Sequence, residues 1–423
     1  MIIIHHSSFI TLVGACSAGS VENVGGEHPV SPDAGAGRLD EPAGRERADA
    51  AAPVPGEPEP ALPEREVVVQ AAGDVLVHRA VVDSARAHEG GFGYVLSGLR
   101  SAIEDPGGRA SKVPVVTLVN LETPLTDTRV DPVNTLPPVL GAPPELARAL
   151  ADVGVDVVSL ANNHAMDQAP EGLVDSLATA RAAGLGVVGA GPDEGEAFRH
   201  RTIERGGLTV AFVGFTHHVN GGAGSAAYGA VVALLRESER VMASIGAARA
   251  EADVVVVAVH WSSDFVGRPL RDQRDLTRRM IDAGADVIVG TGPHILQEVE
   301  RLPSPRGAAV VAYSLGNLVS NQGLLHRPGL PPRSGHPVAV TAGTRDAVLL
   351  RVHLRAPADG RVEVAAVEAV PMWTANNVWE RRAGSGVAAD IAVVRLRDAA
   401  AEVREERRPI IARTLGPVVD LVP

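Results

Sequence analysis

The sequence predicts an α/β fold with a mainly central, two-sided sheet, and three observations carry that expectation. Short β-branched runs, "VPVVTLVN", "VDVVSLAN", "LGVVGAG", "LTVAFVGF", "ADVVVVAVH", "ADVIVG" and "AAVVAYSLGN", read as buried strands. Between them "PPELARALADVG", "EGLVDSLATARAAG", "AVVALLRESERVMASIGAARAEA" and "LRDQRDLTRRMIDAG" place apolar residues at three- and four-residue spacing, several closed by Gly. Strands alternating with helices of this length call for right-handed crossovers and a sheet covered on both faces. The composition agrees: 45% of the 423 residues are hydrophobic but only 3% aromatic, so the core is built from Val, Leu, Ile and Ala.

The same numbers narrow the function. A net charge of -12 and so few rings leave neither a basic face for a duplex nor stacking platforms for single-stranded bases, so no nucleic acid is expected as a partner. With Cys16 as the one cysteine, a disulfide framework or a thiolate zinc site is excluded.

Along the chain, residues 1–16 read as a lipoprotein signal segment. The apolar "FITLVGAC" ends in a string that resembles the bacterial lipobox, which would place the protein outside the cytoplasm, anchored in the membrane through acylated Cys16. His5 and His6 stand where the positive charges of an export signal are usual, so a misassigned start or a chance cysteine is the alternative. Residues 17–66 carry no Phe, Trp or Tyr and are rich in Pro, Gly, Ala and acids, which predicts a disordered tether. Order is expected over 67–371, followed by a C-terminal extension, 372–423, packing on the domain. "AVLLRVHLR" and "RVEVAAVEAVPMW" alternate with period two and read as a hairpin. Residues 321–344 lack any periodic pattern and read as a lid or a disordered excursion.

Chemistry-bearing residues collect behind the apolar runs. "SLANNHAMD" brings Asn162, Asn163, His164 and Asp167 to the end of one strand; others deliver Asp74, Asn120 with Glu122, His260 with Trp261 and Asp264, His294 with Gln297, and Ser314 with Asn317. In an open α/β sheet the C-terminal strand ends share one edge, where ligands bind, so these groups are expected to converge. Each alone has a plainer reading as a turn, a cap or a packed core histidine; turn chemistry does not require them all at successive strand ends. Carboxylates, imidazoles and an amide oxygen without thiolates suit Mn, Fe or Zn, in one site or two, and such sites activate water for attack on phosphoryl or carbonyl centres. His217 and His218 follow a strand as well, and read as a surface turn or a pocket lining.

"GDVLVHR", "VNLETPLT", "LANNHAMDQAPEGLVDSLATARAAGLGVVGAG", "VVAVHWSSDF", "GADVIVGTGPHILQ" and "YSLGNLV" together resemble, in order and spacing, the CapA family of bacterial capsule and poly-γ-glutamate synthesis proteins, from about Val67 to Met372–Trp373. That resemblance implies a calcineurin-like metallophosphoesterase fold, a four-layered α/β/β/α sandwich. It implies Asp74, Glu122, Asn163, His260 and His294 as metal ligands and His164, with Asn163, as catalytic; Asn120, Asn162, Asp167, Trp261, Asp264, Gln297 and Asn317 are expected on the substrate side. It also implies a role in capsule or poly-γ-glutamate biosynthesis at the cell envelope. Either the chain is a metal-dependent hydrolase, of a phosphoester more readily than an amide, or it is a non-catalytic binder or export scaffold for an anionic envelope polymer. Other membrane proteins of that synthesis are the implied partners.

Three departures from the family pattern stand out. Gly292 replaces the first of the paired metal histidines, Ser262 stands where glycine is usual, and Asp264 is one methylene shorter than the family's glutamate. His78 is expected at a helix entry, or as a substitute for the histidine this family lacks two residues after its first aspartate.

Overall fold

The structure is a computed structural model that describes residues 65–104, 113–127, 138–222, 224–329, 337–357, 361–384 and 386–423. The export-signal and most of the tether expectations fall on residues outside this set.

Two sheets form the centre. The larger runs, in hydrogen-bonded order, Ile391–Arg395, Glu363–Asn376, Asp346–Ala356, Arg65–Val75, Val115–Asn120, Val157–Ser159 and Gly186–Val188, with Asn317–Val319 pairing to Arg65–Val75 and Asp420–Leu421 to Glu363–Asn376. The second runs Val299–Ser304, Gly307–Ala312, Val287–Thr291, Val254–His260, Leu208–Thr216 and Arg201–Arg205.

Side-chain alternation along the strands decides the layering. Val254, Val256 and Ala258 face the gap between the sheets and meet Val67, Val69, Ala71, Val116 and Leu118 of the other sheet. Val255, Val257 and Val259 point the opposite way, onto Val241 and Ile245 of the helix Ser238–Glu251 and Met280 and Ile281 of the helix Arg271–Asp282. On the far side of the larger sheet, Ala72, Val119 and Val158 pack under Val81, Leu99, Leu146 and Leu173, each from a different helix. The result is four layers, α/β/β/α, as the sequence resemblance implied. Strands buried on both faces explain why their sequences are continuous apolar runs.

Several expectations are corrected in detail. The run "AVVALL" continues no helix: Ala230–Val232 is a short strand, and the helix begins only at Ser238. Three strands, Arg201–Arg205, Val299–Ser304 and Ile391–Arg395, have no clear sequence signature because the first two lie at sheet edges with half-exposed faces. The hairpin holds, with Asp346 opposite Trp373 and Arg355 opposite Glu363. The boundary expected at 371/372 falls inside the strand Glu363–Asn376, and the residues beyond it supply two more strands of the same sheet. The C-terminal helix Ala401–Leu415 closes the inter-sheet core with Ile411 and Leu415. Part of 321–344 is ordered, with a turn from Asn321 and a 3-10 helix at Ala342–Arg345.

Candidate metal centre

In both sheets the parallel strands end at the same edge, and register sets the neighbours there. Asp74 lies opposite Asn120 on one side and opposite Asn317 on the other; Asn120 lies opposite Ser159; His260 lies opposite Thr291 and Thr216. The approach at Asp74 depends on glycine. A Cβ at Gly73 would sit 1.9 Å from the carbonyl oxygen of Gly316, the same oxygen that accepts the Asp74 N–H at 2.9 Å.

Asp74, Glu122 and His260 form one group, each offering a ligand atom within 4.8 Å of the others, and all three are buried. Asp74 Oδ1 accepts from Asn120 Nδ2 at 2.8 Å, and its Oδ2 faces the N–H of Gly292 and Nδ1 of His294, each at 3.3 Å. Burial pushes its carboxyl up, yet the His294 hydrogen bond, the two imidazoles and Asn120 outweigh this and hold it below its ordinary value. Glu122 is the opposite case. Neither of its oxygens has a hydrogen-bond partner, Oε1 stands 3.4 Å from His260 Nε2, and burial, followed by the charge of Asp74, pushes its carboxyl well above the usual range. A fully buried carboxyl with two orphaned oxygens is expensive unless a cation or donor meets it.

His260 is held from three sides. Its Nδ1 lies 3.1 Å from Asn120 Nδ2 and 3.0 Å from Thr291 Oγ1; its Nε2 lies 2.9 Å from Asn163 Oδ1. Without an ion, the Asn120 amide nitrogen donates to Nδ1 and Nε2–H points to Asn163; ligation through Nε2 takes the other neutral tautomer, with Nδ1–H donating to Thr291 Oγ1. Burial, with three neighbouring histidines, lowers its pKa to about 3 against the pull of Asp74, so the ring is neutral, as ligation needs. Asn163 turns its side-chain carbonyl oxygen into the same cluster. The donor set therefore fits a hard or borderline divalent cation.

His294 stands beside this group. Its backbone has φ +60, and Nδ1 reaches Asp74 Oδ2 and Asn317 Oδ1 at 3.3 and 3.0 Å, with Glu122 Oε2 at 3.9 Å. Burial opposes its protonation, but the Asp74 hydrogen bond and charge prevail and raise its pKa. Gly292 has φ +104, and a Cβ there would lie 2.3 Å from the Trp261 carbonyl oxygen. The loop is thus built around glycine; a histidine at this position has no room.

His164, next to Asn163, is buried, and its Nδ1 lies 2.6 Å from Oδ2 of Asp167. That carboxylate also accepts the N–H of Leu140, so the dyad is tied to a second loop.

The residues expected on the substrate side divide. Asn120 supports Asp74 and His260; Asn162 donates to the Leu121 carbonyl at 2.9 Å; Gln297 donates to that of Val266 at 2.7 Å. Asn317 donates to Ser320, Gln322 and Thr344 while accepting from His294. These four are buried and hydrogen-bonded within the protein, an arrangement that suits positioning the site, with Gln297 Oε1 left without a partner. Asp167 likewise serves His164. Asp264 is exposed, and Trp261 is buried with its Nε1 unpartnered. His78 caps the entry to the helix Arg79–Ala87 and takes the N–H of Asn321 on Nδ1 at 3.3 Å, so it does not join the ligand group. Thr291 went unnoticed in the sequence; its register opposite His260 is visible only once the two strands are paired.

Residues 68–322 match the family described as "Bacterial capsule synthesis protein PGA_cap". The chain belongs to this family. Among curated PGA_cap relatives it is 34% identical over 225 residues to the PGA biosynthesis protein CapA of Bacillus subtilis (strain 168), covering 53% of this chain and 53% of that protein. It is 32% identical over 223 residues to the capsule biosynthesis protein CapA of Bacillus anthracis, covering 51% and 48%. The chain thus spans about half the length of the curated relatives it matches. Among solved structures it is similar to a putative 5'-nucleotidase from Staphylococcus aureus, with a TM-score of 0.42, 14% identity, and coverage of 72% of this chain and 54% of that one.

Proposed function

We propose that this PGA_cap chain is a metal-dependent hydrolase of cell-envelope polymer metabolism, cleaving a phosphoester more readily than an amide. The observation that carries this reading is Glu122: both oxygens lack a hydrogen-bond partner in a buried cluster with Asp74 and neutral His260, a cost that a bound cation would offset. Asp74, Glu122, His260 and the Asn163 carbonyl oxygen would hold one divalent ion. When bound, such an ion polarises the scissile group and lowers the pKa of water.

The remaining work falls to the chain itself. Asn120 and Thr291 fix the His260 ring, and Asn317 fixes His294. Asp167 holds Nδ1 of His164, which leaves Nε2 as the atom that gives a proton to the departing oxygen. The test is hydrolysis of a generic phosphodiester by the full chain with and without added Mn, in wild type and His260→Ala: turnover that needs metal and is lost in the variant supports the proposal, and none in wild type rejects it.

A second reading, a non-catalytic polymer binder or export scaffold, draws on Gly292, because one family ligand is missing and cannot be restored in this loop. Stoichiometric metal without turnover would favour it. On either reading we place the chain outside the cytoplasm, held through acylated Cys16 and working with other membrane proteins of capsule or poly-γ-glutamate synthesis; Cys16→Ser releasing the chain from the membrane fraction tests the anchor. No helix of the described residues is long and apolar enough to cross a membrane.

A further inference from the structure

We propose that Arg345 is a positioning residue for the metal centre: it clamps the 3-10 turn Ala342–Arg345, whose Thr344 carbonyl holds Asn317 and through it His294 beside Asp74. This rests on the hydrolase reading in that Asp74 is taken as a ligand of the bound ion.

Arg345 is buried and bonds to backbone carbonyls, from Nε to Thr374 at 2.7 Å and from Nη1 to His326 at 3.4 Å. Its guanidinium lies over the Trp373 ring, 4.2 Å from the centroid. Asp346, the next residue, is bonded by Arg407 instead. One side chain thereby ties its own turn to the strand Glu363–Asn376 and to the segment that follows Asn317–Val319. That segment packs closely on the turn: Gly323 has φ +63, and a Cβ there would lie 2.7 Å from Thr344 Oγ1 and 3.1 Å from Arg345 Cγ. Taking a guanidinium out of water is costly, and an apolar side chain of similar volume would fill the space at less cost, so the placement points to geometry rather than stability.

The turn reaches the metal centre by two short routes. In the first, the Thr344 carbonyl accepts from Asn317 Nδ2 at 2.9 Å, and Asn317 Oδ1 lies 3.0 Å from Nδ1 of His294, which is itself 3.3 Å from Asp74 Oδ2. A backbone carbonyl can only accept, so it fixes the amide nitrogen on its side and leaves Oδ1 to accept from Nδ1–H of His294. With that carbonyl displaced, the amide is free to flip, which puts a donor against Nδ1–H and turns the ring. In the second route backbone meets backbone. Gly316 bridges to Ala347, a Cβ on Gly316 would lie 2.5 Å from the Asp346 carbonyl oxygen, and the Gly316 carbonyl accepts the Asp74 N–H at 2.9 Å.

The experiment uses the full chain in wild type, Arg345→Met, Arg345→Lys, Asn317→Ala and the double variant of Arg345→Met with Asn317→Ala. Arg351→Met is the control, a buried arginine of the strand Asp346–Ala356 that donates to the Ala102 carbonyl. Mn dissociation constants are read by electron paramagnetic resonance, and the ring-nitrogen signals of His294 by NMR on the metal-free protein. Mn binding is expected to weaken by about tenfold in Arg345→Met and to recover in part in Arg345→Lys. It should be no weaker in the double variant than in Asn317→Ala alone, since the two act in series. The His294 signals should move in Arg345→Met and not in Arg351→Met. Undiminished binding with unmoved signals in Arg345→Met, losses that add in the double variant, or an equal loss in Arg351→Met overturns the proposal. If Arg345→Met does not fold, Arg345→Lys carries the same comparisons. A wild type that binds no Mn refutes the metal reading instead, and the His294 signals then decide the positioning claim.

Discussion

Nδ1 of His164 lies 2.6 Å from Oδ2 of Asp167, three residues later on the loop that follows the strand Val157–Ser159. The pair is buried, and its carboxylate is fixed by Leu140. Such an arrangement orients an imidazole so that its other nitrogen is available for proton transfer. His164→Ala is therefore expected to reduce phosphodiester hydrolysis by about 10²–10⁴-fold, and Asp167→Asn to reduce it by less, with metal content unchanged in both. Steady-state kinetics alongside metal analysis checks this.

Glu122→Gln should act in opposite directions with and without metal. In chelator, the amide removes the cost of keeping an ionisable carboxyl buried without partners, and melting should rise by about 2–4 °C for each kcal/mol regained. On adding Mn the wild type should gain stability and the variant should not, because a ligand stabilises only the state that binds it. Thermal melts in the two conditions give the answer.

Two groups of the site contribute to the pH dependence of the metal-free protein with opposite sign. His260 drops from an ordinary 6.5 to about 3, so the native state binds fewer protons than the unfolded chain between those values, and stability rises with pH across that window. Glu122 is raised above its ordinary 4.5, so the native state holds an extra proton there, and stability falls as pH climbs from 4.5 through the folded value. Denaturant titrations from pH 3 to 8 on wild type and Glu122→Gln should differ by a steeper rise with pH in the variant, from which the opposing contribution is gone.

Gly292→Ala should destabilise by about 1–3 kcal/mol or more, since it combines a positive φ with a Cβ driven onto the Trp261 carbonyl. Gly292→His should be at least as costly and should bind no second ion. Urea melts with metal analysis distinguish strain from a recovered ligand.

The C-terminal helix is part of the domain. Arg407 donates through Nε to both oxygens of Asp346, at 3.1 and 3.2 Å, and both residues are buried. Arg407→Ala leaves an uncompensated carboxyl and is expected to cost about 3–5 kcal/mol. A chain ending at 371 would also lose Ile391–Arg395 and Asp420–Leu421, the strands that pair with Glu363–Asn376, and is expected to be insoluble or unfolded by circular dichroism.

The strand-end residues of the site were legible because parallel topology converts position in sequence into position in space: Asp74, Glu122, Asn163, His164 and His260 each follow a β-branched run. What those side chains touch was not legible. Asn162 and Asn163 are adjacent and chemically identical, yet one ties down a backbone carbonyl and the other faces His260, a distinction set by loop geometry. Asn317 reads as a pocket residue until the strand Asn317–Val319 is paired beside Asp74, where it becomes the support of His294. The C-terminal boundary was set where the family resemblance ends, near Met372–Trp373, whereas the strand continues to Asn376.

The central claim is that Asp74, Glu122 and His260 share one cation. Metal content of the chelated and then Mn-reconstituted protein tests it most directly, in wild type, Glu122→Gln and His260→Ala. The account predicts one equivalent in wild type and a loss from both variants; no metal in wild type, or an undiminished equivalent in the variants, would contradict it.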